Sequence, residues 1–161
     1  MNATDTIAVG DALPLIAAAS PAGIYSVTIE WASGSRRGKV ETIDLAPDIL
    51  SFKFYRPLRD DIRLFDTVHV TADGAALAWG GKDEVDMAAT SVERLAEETM
   101  TNADFAAFLK RSGLSLDAAA AQLGISRRLV AYYAKNRLVP RHIALACRFL
   151  ELQRKKVAEP G

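Results

Sequence analysis

The spacing of apolar residues changes period near Met100, and no other feature limits the possible folds of this chain as much. Before that point apolar and polar residues alternate in steps of two; after it they recur every three or four positions. One period suits a strand with a single buried face and the other an amphipathic helix, and neither pattern serves for the other structure. The 161 residues are therefore expected to form two small domains, 1–98 and 99–161.

In the first stretch, Tyr25, Val27, Ile29 and Trp31 interleave with Ile24, Ser26, Thr28 and Glu30, which predicts a strand with one apolar, aromatic face. Ser33-Gly34-Ser35 supplies turn residues, and Val40 to Leu45 resumes a strand, giving a hairpin. Asp66 to Thr71 and Ala75 to Trp79 predict a second hairpin around Asp73-Gly74, a dipeptide suited to the positive φ angles of a tight turn. Pro47 to Leu50 and Asp60 to Phe65 read as short helical or irregular turns. Ser91 to Thr99 reads as a helix with Val92, Leu95 and Ala96 on its apolar stripe. Antiparallel hairpins with short helices make an α+β pattern.

In the second stretch, Thr101-Asn102 with Asp104 marks a helix start, an oxygen cap followed by an acid in the first turn. Phe105, Phe108 and Leu109 form its buried face, and Ser112-Gly113 ends it. Ser115 caps a second helix with Asp117 near its positive end, and Ser126 caps a third that runs to about Asn136. Pro140 stands where a fourth begins, with Ile143, Ala146, Cys147 and Leu150 on one side. The polar tail from Gln153 to Gly161 is expected to fray.

Overall charge is zero, but its distribution is uneven. Residues 1–98 carry 9 Lys and Arg against 16 Asp and Glu, a net −7, whereas residues 99–161 carry 11 against 4, a net +7. Such asymmetry points to polyanion binding by the basic part, and it also fits simple attraction between the two parts. MNATDTIAVGD has two acids and no basic region, unlike a signal peptide. No apolar run approaches the roughly 18 residues that cross a bilayer. The lone Cys147 has no internal disulfide partner. A cytoplasmic protein is expected.

The informative stretch is Leu116 to Asn136, LDAAAAQLGISRRLVAYYAKN. Two helices crossing steeply need a small residue where their backbones approach, which Ala120 supplies. The turn four residues later needs a residue tolerant of positive φ, which Gly124 supplies. Ile125, Val130 and Tyr133 then pin the third helix to the others. Removing these leaves one outward face of Ser126, Arg127, Arg128, Ala131, Tyr132 and Lys135. The A-x-x-x-G-I-S spacing, with a branched apolar residue six positions past the glycine, resembles the helix-turn-helix of phage-repressor and Cro-like regulators. That resemblance implies an all-α lambda-repressor-like helix-turn-helix domain whose third helix enters the major groove. Ser126, Arg127, Arg128, Ala131 and Tyr132 would read bases, with Arg127 or Arg128 forked onto a guanine. Lys135, Arg137 and Arg141 would position the helix on phosphates. The run from Ser126 to Arg141 is also similar to the mercury-regulator family. There, however, the motif comes first and a wing follows, whereas here a helix precedes it and another succeeds Pro140.

In the first stretch, Y-x-V-x-I-x-W from Tyr25, D-L-A-P from Asp44, P-L-R-D from Pro57, D-G at Asp73 and Trp79 recur in the order of a small bacterial α+β domain of unknown function. Members stand alone or precede a phage-repressor-like motif, and some lie beside toxin-antitoxin genes. The resemblance covers residues 24–98, and Met1 to Ala22 match the family's first strand only loosely. It brings no catalytic residues.

No enzyme is expected. His69 reads as a strand residue in core or edge packing, and Asp83, Glu84 and Asp86 as a solvated loop lacking the glycine and spacing of a calcium site. Phosphate-loop, dinucleotide and paired-ligand metal motifs are absent from the sequence, so neither a cofactor nor a metal is expected. Cys147 and His142 lie five apart on one helix, with Cys147 on the apolar stripe as a buried thiol.

The expected function is sequence-specific binding of double-stranded DNA, as a transcriptional regulator acting as a homodimer. The alternative is an antitoxin-like interaction module whose acidic N-terminal domain binds a protein partner, with DNA binding autoregulatory or absent. No membrane partner is expected.

Overall fold

A computed structural model describes residues 12–158 of the chain. The signal-peptide reading of MNATDTIAVGD and the last three residues of the tail lie outside the described residues. The chain divides after Ala96 into two compact units, each with its own apolar core.

The first unit contains two three-stranded antiparallel sheets. In one, β1 (Leu15–Gly23), β2 (Ser26–Ser33) and β3 (Val40–Asp44) pair in chain order. Val27, Ile29 and Trp31 of β2 point inward as their alternation requires, opposite Ile43 of β3. In the other, β4 (His69–Val70), β5 (Ala76–Trp79) and β6 (Val85–Ala88) also pair in order. The amide of Ile16 donates to the carbonyl of Gly74 at 2.8 Å, which joins the two sheets at the β4–β5 turn. Gly74 is required there twice over: its φ is +74°, and a Cβ would meet the Ile16 carbonyl oxygen at 3.0 Å.

Short helices α1 (Ala46–Ser51), α2 (Arg56–Asp60) and α3 (Ile62–Phe65), with a 3₁₀ turn at Lys53–Tyr55, and the longer α4 (Ala89–Glu97) contribute Ile49, Leu58, Phe65, Val92 and Leu95 to the same core. Burying a side chain such as Phe65 contributes roughly 1.5–3 kcal/mol. Polar atoms that must enter the core find partners. The Trp79 indole donates to the Phe65 carbonyl at 3.1 Å, and that of Trp31 donates to Glu41 at 3.1 Å.

The second unit is helical: α5 (Asn102–Ser112), α6 (Leu116–Leu123), α7 (Arg127–Lys135) and α8 (Arg141–Ala158). Its core is Phe105, Phe108, Ala119, Val130, Tyr133, Val139, Ile143 and Cys147. Phe105 meets Tyr133 edge-on with ring centroids 5.9 Å apart.

The expected fold class is corrected in both parts. Among the described residues the first region holds two three-stranded sheets instead of two hairpins, because β1 and β6 each add a strand. After them, an all-α lambda-repressor-like domain is not evident. Three short helices stand there with one of 18 residues, since nothing from Arg141 to Ala158 supplies a glycine or proline to break it. The expected fraying from Gln153 gives way for the same reason to helix through Ala158. Asp86, expected in a solvated loop, lies on β6 with its side chain exposed between buried Val85 and Met87.

Candidate nucleic-acid interface

Three caps set the frame of the second unit. Thr101 and Asp104 form a reciprocal box, with the Thr101 hydroxyl accepting from the Asp104 amide at 3.1 Å and the Asp104 carboxylate from the Thr101 amide at 3.0 Å. Ser115 caps α6 through the Ala118 amide, and Ser126 caps α7 through that of Leu129 at 3.2 Å. Between α6 and α7 lie only Gly124, Ile125 and Ser126. Gly124 has φ +68° with nothing within 4 Å of where a Cβ would stand, so the turn needs glycine for its backbone angle alone. The alanine fully buried on α6 is Ala119; Ala120, expected at the close approach, is partly buried, and its carbonyl accepts from Ile125 at 3.1 Å.

Val130 and Tyr133 turn into the core, so the opposite side of α7 faces outward. Ser126, Arg127, Arg128 and Lys135 are exposed there, with Ala131 and Tyr132 half-buried between them. The Ser126 hydroxyl is already engaged as the cap. Arg127 leans toward α6, its Nε 3.4 Å from the Asp117 carboxylate, both groups well exposed. The Nε of Arg128 donates to the Tyr132 hydroxyl at 2.7 Å, and its guanidinium carbon lies 5.5 Å from the ring centroid. Arg137 places its guanidinium 5.2 Å from the same centroid. Two cations thus meet at one aromatic ring, a favourable arrangement for each with the ring and an unfavourable one between themselves. Among the described residues no carboxylate pairs with Arg128, Lys135 or Arg137.

Arg141 differs. Its guanidinium pairs with Glu98 at 2.5 Å, so it does not join this group. Arg148 pairs with Glu97 at 2.6 Å and Arg111 with Glu151 at 2.6 Å, while Arg154 donates to the Ser112 carbonyl. Sequence reasoning missed Asn102, which it took only as part of a helix start. Its amide donates to the carbonyls of Tyr133 at 2.8 Å and Arg137 at 2.5 Å, fixing the end of α7 to the start of α5. An asparagine at the first helical position gives no sign of a partner more than thirty residues away.

His69 is half-buried on β4, with Nε2 2.6 Å from the Asp83 carboxylate and Nδ1 3.0 Å from the Thr67 carbonyl. The Thr67 carbonyl first, and Asp83 after it, raise its pKa above 6.5. Cys147 is buried, its thiol pushed up to about 12 by desolvation, with Glu151 adding to the shift; His142 is exposed on the same helix. Among the described residues no group of three His, Cys, Asp or Glu is placed to hold a metal ion, and no helix is long and apolar enough to cross a membrane.

No family model matches the chain, and no curated protein does. Among solved structures, it is similar to the crystal structure of "Putative DNA Binding Protein" from Nitrosomonas europaea ATCC 19718. The two are 28% identical, the match covers 88% of each chain, and the TM-score is 0.41, which gives the likeness no weight for the fold.

Proposed function

We propose that the second unit binds double-stranded DNA through the outward face of α7, with α6, the three-residue turn and α7 acting as a helix-turn-helix reader. The observation that carries this reading is the pair of guanidinium groups, Arg128 and Arg137, gathered at the Tyr132 ring without a carboxylate partner among the described residues. Charges brought together in that way favour a polyanion, and the capped N-terminal end of α7 has the form that enters a major groove. Lys135 adds a third cation on the same face for phosphate. Ser126, Arg127, Arg128 and Ala131 are the residues in reach of bases, beside Tyr132, whose hydroxyl is taken up by Arg128; Lys135, Arg137 and Arg141 are those for the backbone, with Arg141 having to leave Glu98 to take part.

In this reading the protein is a cytoplasmic transcriptional regulator that works as a dimer, since one such helix covers too little DNA for tight specific binding. Selecting sites from random duplexes with the full-length chain tests it. A palindrome with half-site centres about 10 base pairs apart is expected, together with a dimer in sedimentation at tens of micromolar. No enriched sequence at low salt would overturn the DNA reading.

One observation favours a second reading, an antitoxin-like interaction module. Leu50, Phe52 and Phe54 of the first unit are each more than half exposed, and apolar side chains so grouped suit a protein partner. Their neighbours Lys53 and Arg56 are basic, so this surface is not the acidic one that the charge count suggested. A tight complex formed without DNA, and lost on Phe52→Ser with Phe54→Ser, is the result that reading requires.

A further inference from the structure

We propose that Tyr132 is a positioning residue that makes Arg128, and not Arg127, the reader of a guanine, and that it fixes which edge of the guanidinium does the reading. The inference rests on the DNA-binding reading above and deepens it.

Arg127 and Arg128 are neighbours at the start of α7, and composition alone does not separate them. Their surroundings do. Arg127 has an acid in reach, with Asp117 at 3.4 Å, so a base must compete with that carboxylate for it. Arg128 stands one helical turn before Tyr132 and gives its Nε proton to the phenol oxygen at 2.7 Å. A phenol leaves the positive charge intact and fixes the plane of the group that carries it.

An arginine fork has two edges able to meet guanine O6 and N7 together: the side edge, Nε with one Nη, and the end edge, Nη1 with Nη2. With Nε already donated to Tyr132, the end edge is the one on offer. The phenol is steadied in turn. Arg137 lies against the same ring at 5.2 Å, and the Arg137 carbonyl is held by the Asn102 amide at 2.5 Å. A line of contacts therefore runs from the first turn of α5 through Arg137 and Tyr132 to Arg128. Ordering a long side chain before the duplex arrives reduces what binding must fix, which is the physical sense of preorganisation. Tyr132 is thus not itself a base contact in this arrangement. Its hydroxyl is committed within the protein and its ring is shared between two cations.

The test uses site selection from random duplexes by the full-length wild type and by Arg127→Ala, Arg128→Ala, Arg128→Lys and Tyr132→Phe, each first shown by circular dichroism to keep its helix content. The wild type is expected to require a guanine at one position of each half-site. Arg128→Ala and Arg128→Lys should both lose that preference, since lysine keeps the charge without the fork, while Arg127→Ala retains it. Tyr132→Phe keeps the ring under Arg137 and removes only the hydroxyl. It should enrich the same site with the preference for that guanine reduced about 3- to 10-fold, leaving non-specific affinity and its salt dependence unchanged. Undiminished guanine preference in Tyr132→Phe overturns the proposal, as does an equal loss on every duplex, which would make the hydroxyl a phosphate contact, or loss of the guanine in Arg127→Ala instead. A wild type that enriches nothing brings down the DNA-binding reading itself, a different failure from an enriched site that ignores Tyr132.

Discussion

Both units fasten arginines to carboxylates, but the second also gathers two of them at a tyrosine. In the first, Arg94 donates one nitrogen to both oxygens of the buried Asp48 at 2.7 Å, and Arg36 grips Glu41 through two nitrogens at 2.8 and 2.7 Å, with the Trp31 indole on the same carboxylate. In the second, Arg128 and Arg137 meet a tyrosine. A carboxylate neutralises a cation and fastens it to the fold; a phenol ring orients it and leaves the charge available. Two arginines of α8 follow the first pattern, Arg141 with Glu98 and Arg148 with Glu97, while Arg154 is held by the Ser112 carbonyl. The partner, more than exposure, therefore distinguishes a structural arginine from one able to take an external ligand.

If that contrast holds, disturbing the interior of the first unit costs stability, and disturbing the α7 face costs almost none. The largest effect is expected from Trp79→Ala. It empties a fully buried site, ends the stacking on Phe65 at 6.0 Å and leaves the Phe65 carbonyl without its indole donor. About 3–5 kcal/mol should be lost, read from urea unfolding by the fluorescence of Trp31, the remaining tryptophan. A loss under about 1 kcal/mol would mean that this core is not assembled around Trp79.

A smaller effect separates the arginines directly. Arg94→Ala strands Asp48, which is only 6% exposed, and should cost about 2 kcal/mol, less than for a fully buried pair because the Arg94 side chain is itself part-exposed. Arg128→Ala should change stability by less than about 0.5 kcal/mol, as surface substitutions do. Equal costs at the two positions would erase the distinction drawn from their partners.

Much of this was legible in the sequence where a pattern repeats. The inward set Val27, Ile29 and Trp31 followed from alternation, and the caps Thr101, Ser115 and Ser126 from side chains whose oxygen reaches an amide three residues on. The outward face of α7 emerged once its buried positions were removed. Strands β1 and β6 were not legible because their surroundings conceal them. β1 is rich in alanine with a proline near its end, and β6 is four residues long with acids around it. The role of Asn102, the pairing of Arg141 with Glu98 and the choice between Arg127 and Arg128 all depend on which residues distant in sequence meet in space, and local spacing holds no record of that.

The smallest effect concerns a surface pair that combines both behaviours. Asp83 holds His69 in place at 2.6 Å and also favours its charged form, after the larger contribution of the Thr67 carbonyl. Because the folded pKa is raised, the proton binds the folded state more tightly than the unfolded. The contribution to stability is therefore fully present below about pH 6.5 and disappears as pH rises through the folded value. An NMR titration of His69 should have its midpoint above 6.5, and Asp83→Asn should lower that midpoint only part of the way, since Thr67 remains. Asparagine tolerates the φ of +51° found at Asp83, so the variant changes the charge while keeping the turn. A midpoint unmoved by that substitution would mean that Asp83 does not sit on the imidazole in solution, and that carboxylates on this surface fasten less firmly than those around Arg36 and Arg94.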